Sequence, residues 1–129
     1  MKKKIFDYIY LVCGPDKSYI SKKIIKLSNK NYFIDCSNKD LTGIIAAIKN
    51  SNFFVGNNSG PLNLASALGV KTFGLIANDA ISELKYSKIN FILPDDYKDN
   101  TWIRDRSNMK TLTTKKVFET LIQRLQNES

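Results

Sequence analysis

The chain has 129 residues, 43% of them hydrophobic and 25% charged, which is the composition of one folded domain rather than a disordered segment. It holds no histidine and two cysteines, Cys13 and Cys36. Serine–histidine and cysteine–histidine nucleophile systems, histidine general bases and HExxH zinc sites are thereby excluded, and two thiols are too few for a four-thiolate metal centre.

The net charge of +8, from 20 basic and 12 acidic side chains, fits an anionic ligand or equally a lysine-rich solvated surface. The lysines are scattered, the longest basic run is Lys2-Lys3-Lys4, and no aromatic-plus-basic RNA motif occurs, so nucleic acid is not an expected partner. That lysine run leads into the apolar stretch Ile5 to Val12. Asp7 interrupts the stretch, which is too short to span a bilayer, and Val12 before Cys13 is not the small residue that signal cleavage requires. It reads as a strand of a cytoplasmic protein, whose contact with a membrane is at most peripheral at the inner membrane surface, and free thiols suit a reducing compartment.

Strands and helices alternate from there, with no linker or repeat. Gly14-Pro15-Asp16 ends the first strand, and Ser18 to Leu27 carries Ile20, Ile24 and Leu27 at helical spacing. Tyr32 to Cys36 is a short strand, and Leu41, Ile44, Ile45 and Ile48 mark one face of a second helix. Asn52 to Gly56 is a strand that runs into Asn57-Asn58-Ser59-Gly60-Pro61. A short helix, Leu62 to Leu68, follows and is stopped by Gly69. Thr72 to Ile76 and Ile89 to Leu93 are further strands. In the last helix Val117, Phe118, Leu121, Ile122 and Leu125 form one stripe, with Lys115, Lys116, Glu119 and Arg124 opposite. This order predicts an α/β fold: a Rossmann-like parallel sheet of about five strands with flanking helices, forming a single domain over 1–129.

In such sheets ligands bind beyond the C-terminal strand ends, where a loop enters a helix, and Asn57 to Pro61 occupies that position. Gly60 permits close backbone approach and Pro61 is pre-set for a first helical turn. A phosphate or pyrophosphate is the natural occupant of the helix N-terminus, although a serine-capped turn with no ligand has the same sequence. Elsewhere, Cys13 and Cys36 read as free thiols and Asp95-Asp96 as an acidic loop rather than a metal site. Trp102, Arg104 and Arg106 lie in an irregular stretch that serves surface packing or base and phosphate contact equally well, and Lys39 as a solvated lysine.

The run Asp40-Leu41-Thr42-Gly43, then Ile44 to Lys49, then NFFVGNNSGPLNLASALGV resembles glycosyltransferase family 9, the heptosyltransferases of bacterial lipopolysaccharide synthesis. The family loop reads Asp-Ser-Gly-Pro-Met-His-Leu-Ala; here it reads Asn58-Ser59-Gly60-Pro61-Leu62-Asn63-Leu64-Ala65. Asn108 to Thr113 running into Val117 is similar to the family's closing helix. The resemblance covers Tyr8 to Leu125 and implies the C-terminal half of a GT-B enzyme, the half that binds a nucleotide-diphosphate sugar, ADP-heptose among the options, without a metal or other cofactor. It implies donor contacts at Asn58, Ser59, Gly60, Pro61 and Asn63, with Asp16 near the family's acidic donor contact.

The sequence departs from the family in three ways. Asn58 replaces the family aspartate and Asn63 its histidine, and a neutral amide binds an anion less strongly than a charged donor does. The family's catalytic base belongs to an N-terminal half that is not in this chain. The family also has a strand and helix, with a phosphate-contacting lysine, ahead of the strand at Ile5 to Val12, and losing them would leave a seam in the sheet. The expected function is therefore the donor-binding half of a family 9 protein of lipopolysaccharide or surface-glycan synthesis, with no catalytic residue of its own and inactive unless a second chain supplies the rest. The alternative is a non-catalytic nucleotide-sugar-binding or partner-binding module.

Overall fold

Each apolar run forms a strand and each stretch of helical periodicity forms a helix in the computed structural model, which describes residues 6–77, 79–84, 88–99 and 106–127. In chain order the elements are β1 (Ile9–Leu11), α1 (Ser18–Ser28), β2 (Phe33–Asp35), α2 (Leu41–Lys49), β3 (Phe53–Asn57), α3 (Gly60–Ala67), β4 (Lys71–Leu75), β5 (Ile89–Ile92) and α4 (Thr114–Gln126). Single 3-10 turns occupy Pro15–Lys17, Ile81–Leu84 and Arg106–Thr111. Trp102 and Arg104 lie outside the described residues.

All strand pairs among the described residues are parallel, and the architecture is Rossmann-like α/β. The five strands do not form one ladder. β1 pairs with β2, and separately β3, β4 and β5 pair in that order. The chain divides accordingly into two compact units, Met1–Ser51 and Asn52–Ser129.

In the first unit the β1–β2 ladder is three residues long, with Ile9 opposite Phe33 and Leu11 opposite Asp35. Among the described residues β1 and β2 are shorter than the expected Ile5–Val12 and Tyr32–Cys36, because only three residues of each strand pair. Helix α1 ends on Asn29, at φ 46°, with its N–H on the Ile25 carbonyl. Helix α2 starts on a capping side chain: Asp40 accepts from the Gly43 N–H at 2.8 Å, which satisfies one donor of the first turn. Ile48 and Ala47 are buried there, whereas Leu41, expected on the same face, is 66% exposed. Helical spacing identifies an apolar residue, but the neighbours that cover it lie elsewhere in sequence.

The second unit is a sheet covered on both faces, and the period-two alternation of its strands assigns each side chain. Phe54, Ile89, Phe91 and Ile76 pack on one face with Leu62 of α3. Phe53, Val55, Phe73, Leu75 and Ile92 pack on the other with Leu112 and with Val117, Leu121 and Leu125 of α4. Phe118, expected in that stripe, is 53% exposed. Gly74 of β4 faces α3: a Cβ there would stand 2.9 Å from Ile89 Cγ2 and 3.3 Å from Leu62 Cδ2, so its absence lets the helix settle onto the sheet. Gly69 follows α3 at φ 76°, the left-handed conformation that ends a helix cheaply only with glycine. Thr113 caps α4, its hydroxyl accepting from the Lys116 N–H at 3.2 Å.

Candidate functional site

The C-terminal ends of β3, β4 and β5 lie on one side of the second unit because the three strands run parallel. The loop from β3 to α3 emerges on that side. Its register is fixed by five pairs between β3 and β4, ending with Asn57 opposite Leu75, and by the burial of Leu62 and Ala65 on α3. The loop itself remains exposed: Asn57, Asn58, Ser59, Gly60 and Asn63 all face solvent, and Pro61 is half-buried.

Helix α3 begins two residues earlier than its apolar pattern suggests, at Gly60, with Ser59 as the N-cap residue and Pro61 in the first turn. The first helical bond runs from the Asn63 N–H to the Ser59 carbonyl at 3.2 Å. Gly60 and Leu62, ahead of it, therefore have N–H groups with no intrahelical acceptor. The Ser59 side chain makes no capping bond to them. A serine-capped turn that consumes its own donors is thus not what forms here. Among the described residues a Cβ on Gly60 would meet nothing within 4 Å, so the space beside Gly60 is open to them. No charged side chain occurs between Lys49 and Lys71, which leaves the partial positive charge of the helix start as this segment's main electrostatic feature.

Asn63 is partly committed to its own helix. Its Nδ2 donates to the Ser59 carbonyl at 3.0 Å, so one amide hydrogen fastens the loop to the helix and one remains. Asp16 sits exposed in the 3-10 turn Pro15–Lys17 of the first unit, whereas Asn58, Ser59, Gly60, Pro61 and Asn63 are gathered in the second.

Sequence reasoning missed the tie between the two neighbouring loops. The Tyr97 hydroxyl donates to the Asp79 carbonyl at 2.8 Å and accepts from the Ile81 N–H at 3.1 Å, pinning the segment that follows β4 to the one that follows β5. Burial raises the pKa of this phenol. No local signal marks it, since the partners are 16 and 18 residues away. Asp95 and Asp96 bind Lys116 and Thr111: Asp95 forms an ion pair with Lys116, and Asp96 accepts from Thr111 Oγ1 at 2.8 Å. No group of three or more potential metal ligands converges among the described residues.

A cavity of about 340 Å³ lies along β5 and α4, lined in part by Phe91, Pro94, Thr120 and Arg124, and is therefore distinct from the loop. Arg124 was expected on the solvent face. Its Nη1 instead donates to the Phe91 carbonyl at 3.0 Å, so the guanidinium blocks part of the outer edge of β5. In the first unit Cys36 is buried, which raises its thiol pKa, and Cys13 is half-buried with its Sγ 3.1 Å from Ser21 Oγ; both are free. The Asp35 carboxylate accepts from the Ser37 N–H at 2.9 Å, which holds its pKa below the usual value.

A parallel α/β sheet with an open, uncharged helix start at its strand ends is the setting in which nucleotide phosphates are bound. The family model for glycosyltransferase family 9 (heptosyltransferase) matches residues 6–121, and the chain belongs to that family. No curated protein and no solved structure matches it at a significant level. Among the described residues no helix is long and apolar enough to cross a membrane.

Proposed function

We propose that the chain is the nucleotide-sugar donor-binding half of a family 9 glycosyltransferase acting in lipopolysaccharide or surface-glycan synthesis, and that it does not transfer sugar by itself. The observation that carries this reading is the start of α3, where the N–H groups of Gly60 and Leu62 have no intrahelical acceptor and, among the described residues, nothing lies within 4 Å of a Cβ placed on Gly60. A diphosphate seated there would take hydrogen bonds from Gly60 and Leu62, with the helix start contributing about 0.3–1 kcal/mol, and up to ~2 if partly buried. The second amide hydrogen of Asn63 and the Ser59 hydroxyl are placed on the same loop to add neutral donors. The residues used need no metal.

Transfer requires a base to activate the acceptor, and the family places it on the facing half of the enzyme. The test is to incubate the chain with nucleotide-diphosphate sugars alone and then with a polypeptide carrying a family 9 N-terminal half. The reading expects nucleotide binding in both cases and sugar transfer only in the second. Transfer by the chain alone, well above background, would overturn the claim of dependence. Binding with no transfer in either case would favour a non-catalytic nucleotide-sugar-binding module.

A further inference from the structure

Helix α1 has three faces. Ser21 is 2% exposed and Ile25 half-buried on the side packed within its unit. Ile20, Ile24 and Leu27 fall within about 60° of arc on a second side and are 40%, 38% and 75% exposed. Lys22, Lys23 and Lys26 fill the third side, next to the aliphatic row, and all three are exposed. Tyr19, 65% exposed, stands among these lysines. Lys17 and Lys30 extend the positive charge beyond both helix ends, and no acidic residue occurs from Lys17 to Ile34. Asp16 lies in the turn just ahead of the helix, and Asp35, which Lys22 influences weakly, is already held by the Ser37 N–H.

A row of exposed aliphatic side chains is normally covered by something. A second copy of the same helix is a poor cover, because pairing the rows would bring two lysine arcs together with no acid on either helix to offset them. A surface that is apolar below and negatively charged above matches both faces at once: the aliphatic row enters the acyl boundary while the lysine stems reach up to the headgroups.

We propose that α1 docks the chain on an anionic lipid bilayer, lying in the interface with Ile20, Ile24 and Leu27 inserted and Lys22, Lys23 and Lys26 on the headgroups. The inference is independent of the donor-site reading, since α1 belongs to the other unit. Binding of this kind grows with inserted apolar area and with anionic lipid content, and weakens with salt.

The experiment is co-sedimentation of the full chain with vesicles of phosphatidylglycerol and phosphatidylethanolamine, against vesicles of phosphatidylcholine alone. The proposal expects partition onto the anionic vesicles at low salt, reduced in 0.5 M salt and near background on phosphatidylcholine. Leu27→Gln should reduce the partition coefficient about tenfold, whereas Leu41→Gln, at 66% exposure on α2, should leave it unchanged. Lys23→Gln and Lys26→Gln should each reduce it about fivefold. Lys115→Gln, at 83% side-chain exposure on α4, should not. All these positions are exposed, and circular dichroism checks that each variant is folded.

Parental partition by Leu27→Gln, or equal losses from the control substitutions, would overturn the proposal by reducing it to net charge. A concentration-dependent dimer in light scattering that Leu27→Gln dissolves would overturn it in favour of a second copy.

Discussion

The two units use the same strand–helix alternation and reach different degrees of completion. The second builds two hydrophobic clusters, one on each face of its sheet, with Phe73 and Leu62 fully buried. The first pairs two strands over three residues and leaves the aliphatic row of α1 facing out. A two-stranded ladder is marginal without further cover, whereas a three-stranded sheet packed on both faces supports itself. The proposed donor loop is rooted in the better-packed unit, between β3 and a helix whose Leu62 and Ala65 are buried. Backbone donors are useful for binding only when held in place, and this is the part of the chain built to hold them.

The largest expected effect follows from that contrast. Phe73→Ala removes a fully buried ring from the second cluster and should cost about 3–5 kcal/mol in denaturant unfolding, enough to unfold the unit or nearly so. Ile25→Ala, at the half-buried face of α1, should cost well under half as much. Equal losses would contradict the assignment of stability to the second unit.

The caps sharpen the same comparison. Asp40→Ala and Thr113→Ala each remove one N-cap acceptor, worth about 1 kcal/mol locally. Since α4 packs into the second cluster through Val117, Leu121 and Leu125, the Thr113 change should lower the main unfolding transition. The Asp40 change should appear chiefly as faster amide exchange within α2.

A smaller effect separates the units by pH. Asp35 has a depressed pKa in the folded first unit, so its contribution is present above the unfolded value of about 3.9 and is lost as pH falls through the folded one. Tyr97 has a raised pKa in the second unit, so its contribution is complete below the unfolded value of about 10 and is lost as pH rises through the folded one. Acid should therefore loosen the first unit and alkali the second. Tyr97→Phe should flatten the alkaline limb, as followed by circular dichroism, while leaving the acid limb alone.

Much of this organisation is legible in the sequence, and what is not has a common cause. Strand and helix positions follow from local periodicity, although α3 starts at Gly60, two residues ahead of the Leu62 start that its apolar pattern suggests. Leu41 and Phe118 were assigned to buried faces and are exposed, because spacing ranks residues on a helix without showing what lies opposite. Arg124 on the Phe91 carbonyl and Tyr97 between Asp79 and Ile81 join residues 16 to 33 apart, and no local pattern encodes such pairs. The division of five parallel strands into two ladders is likewise a matter of non-local pairing. In the loop itself the Gly-Pro step was readable, whereas the commitment of one Asn63 amide hydrogen to Ser59 was not.

The central claim is that the backbone at the start of α3 holds a diphosphate, and Gly60 gives the cleanest test because, among the described residues, a Cβ there meets nothing within 4 Å. Parent and Gly60→Val chains should be titrated with ADP and with UDP by calorimetry, alongside their unfolding curves. The account predicts weak, salt-sensitive binding by the parent, with a Kd on the order of millimolar, and its loss in Gly60→Val without a matching loss of stability. Gly60→Val binding as tightly as the parent would show that the loop is only a turn between β3 and α3.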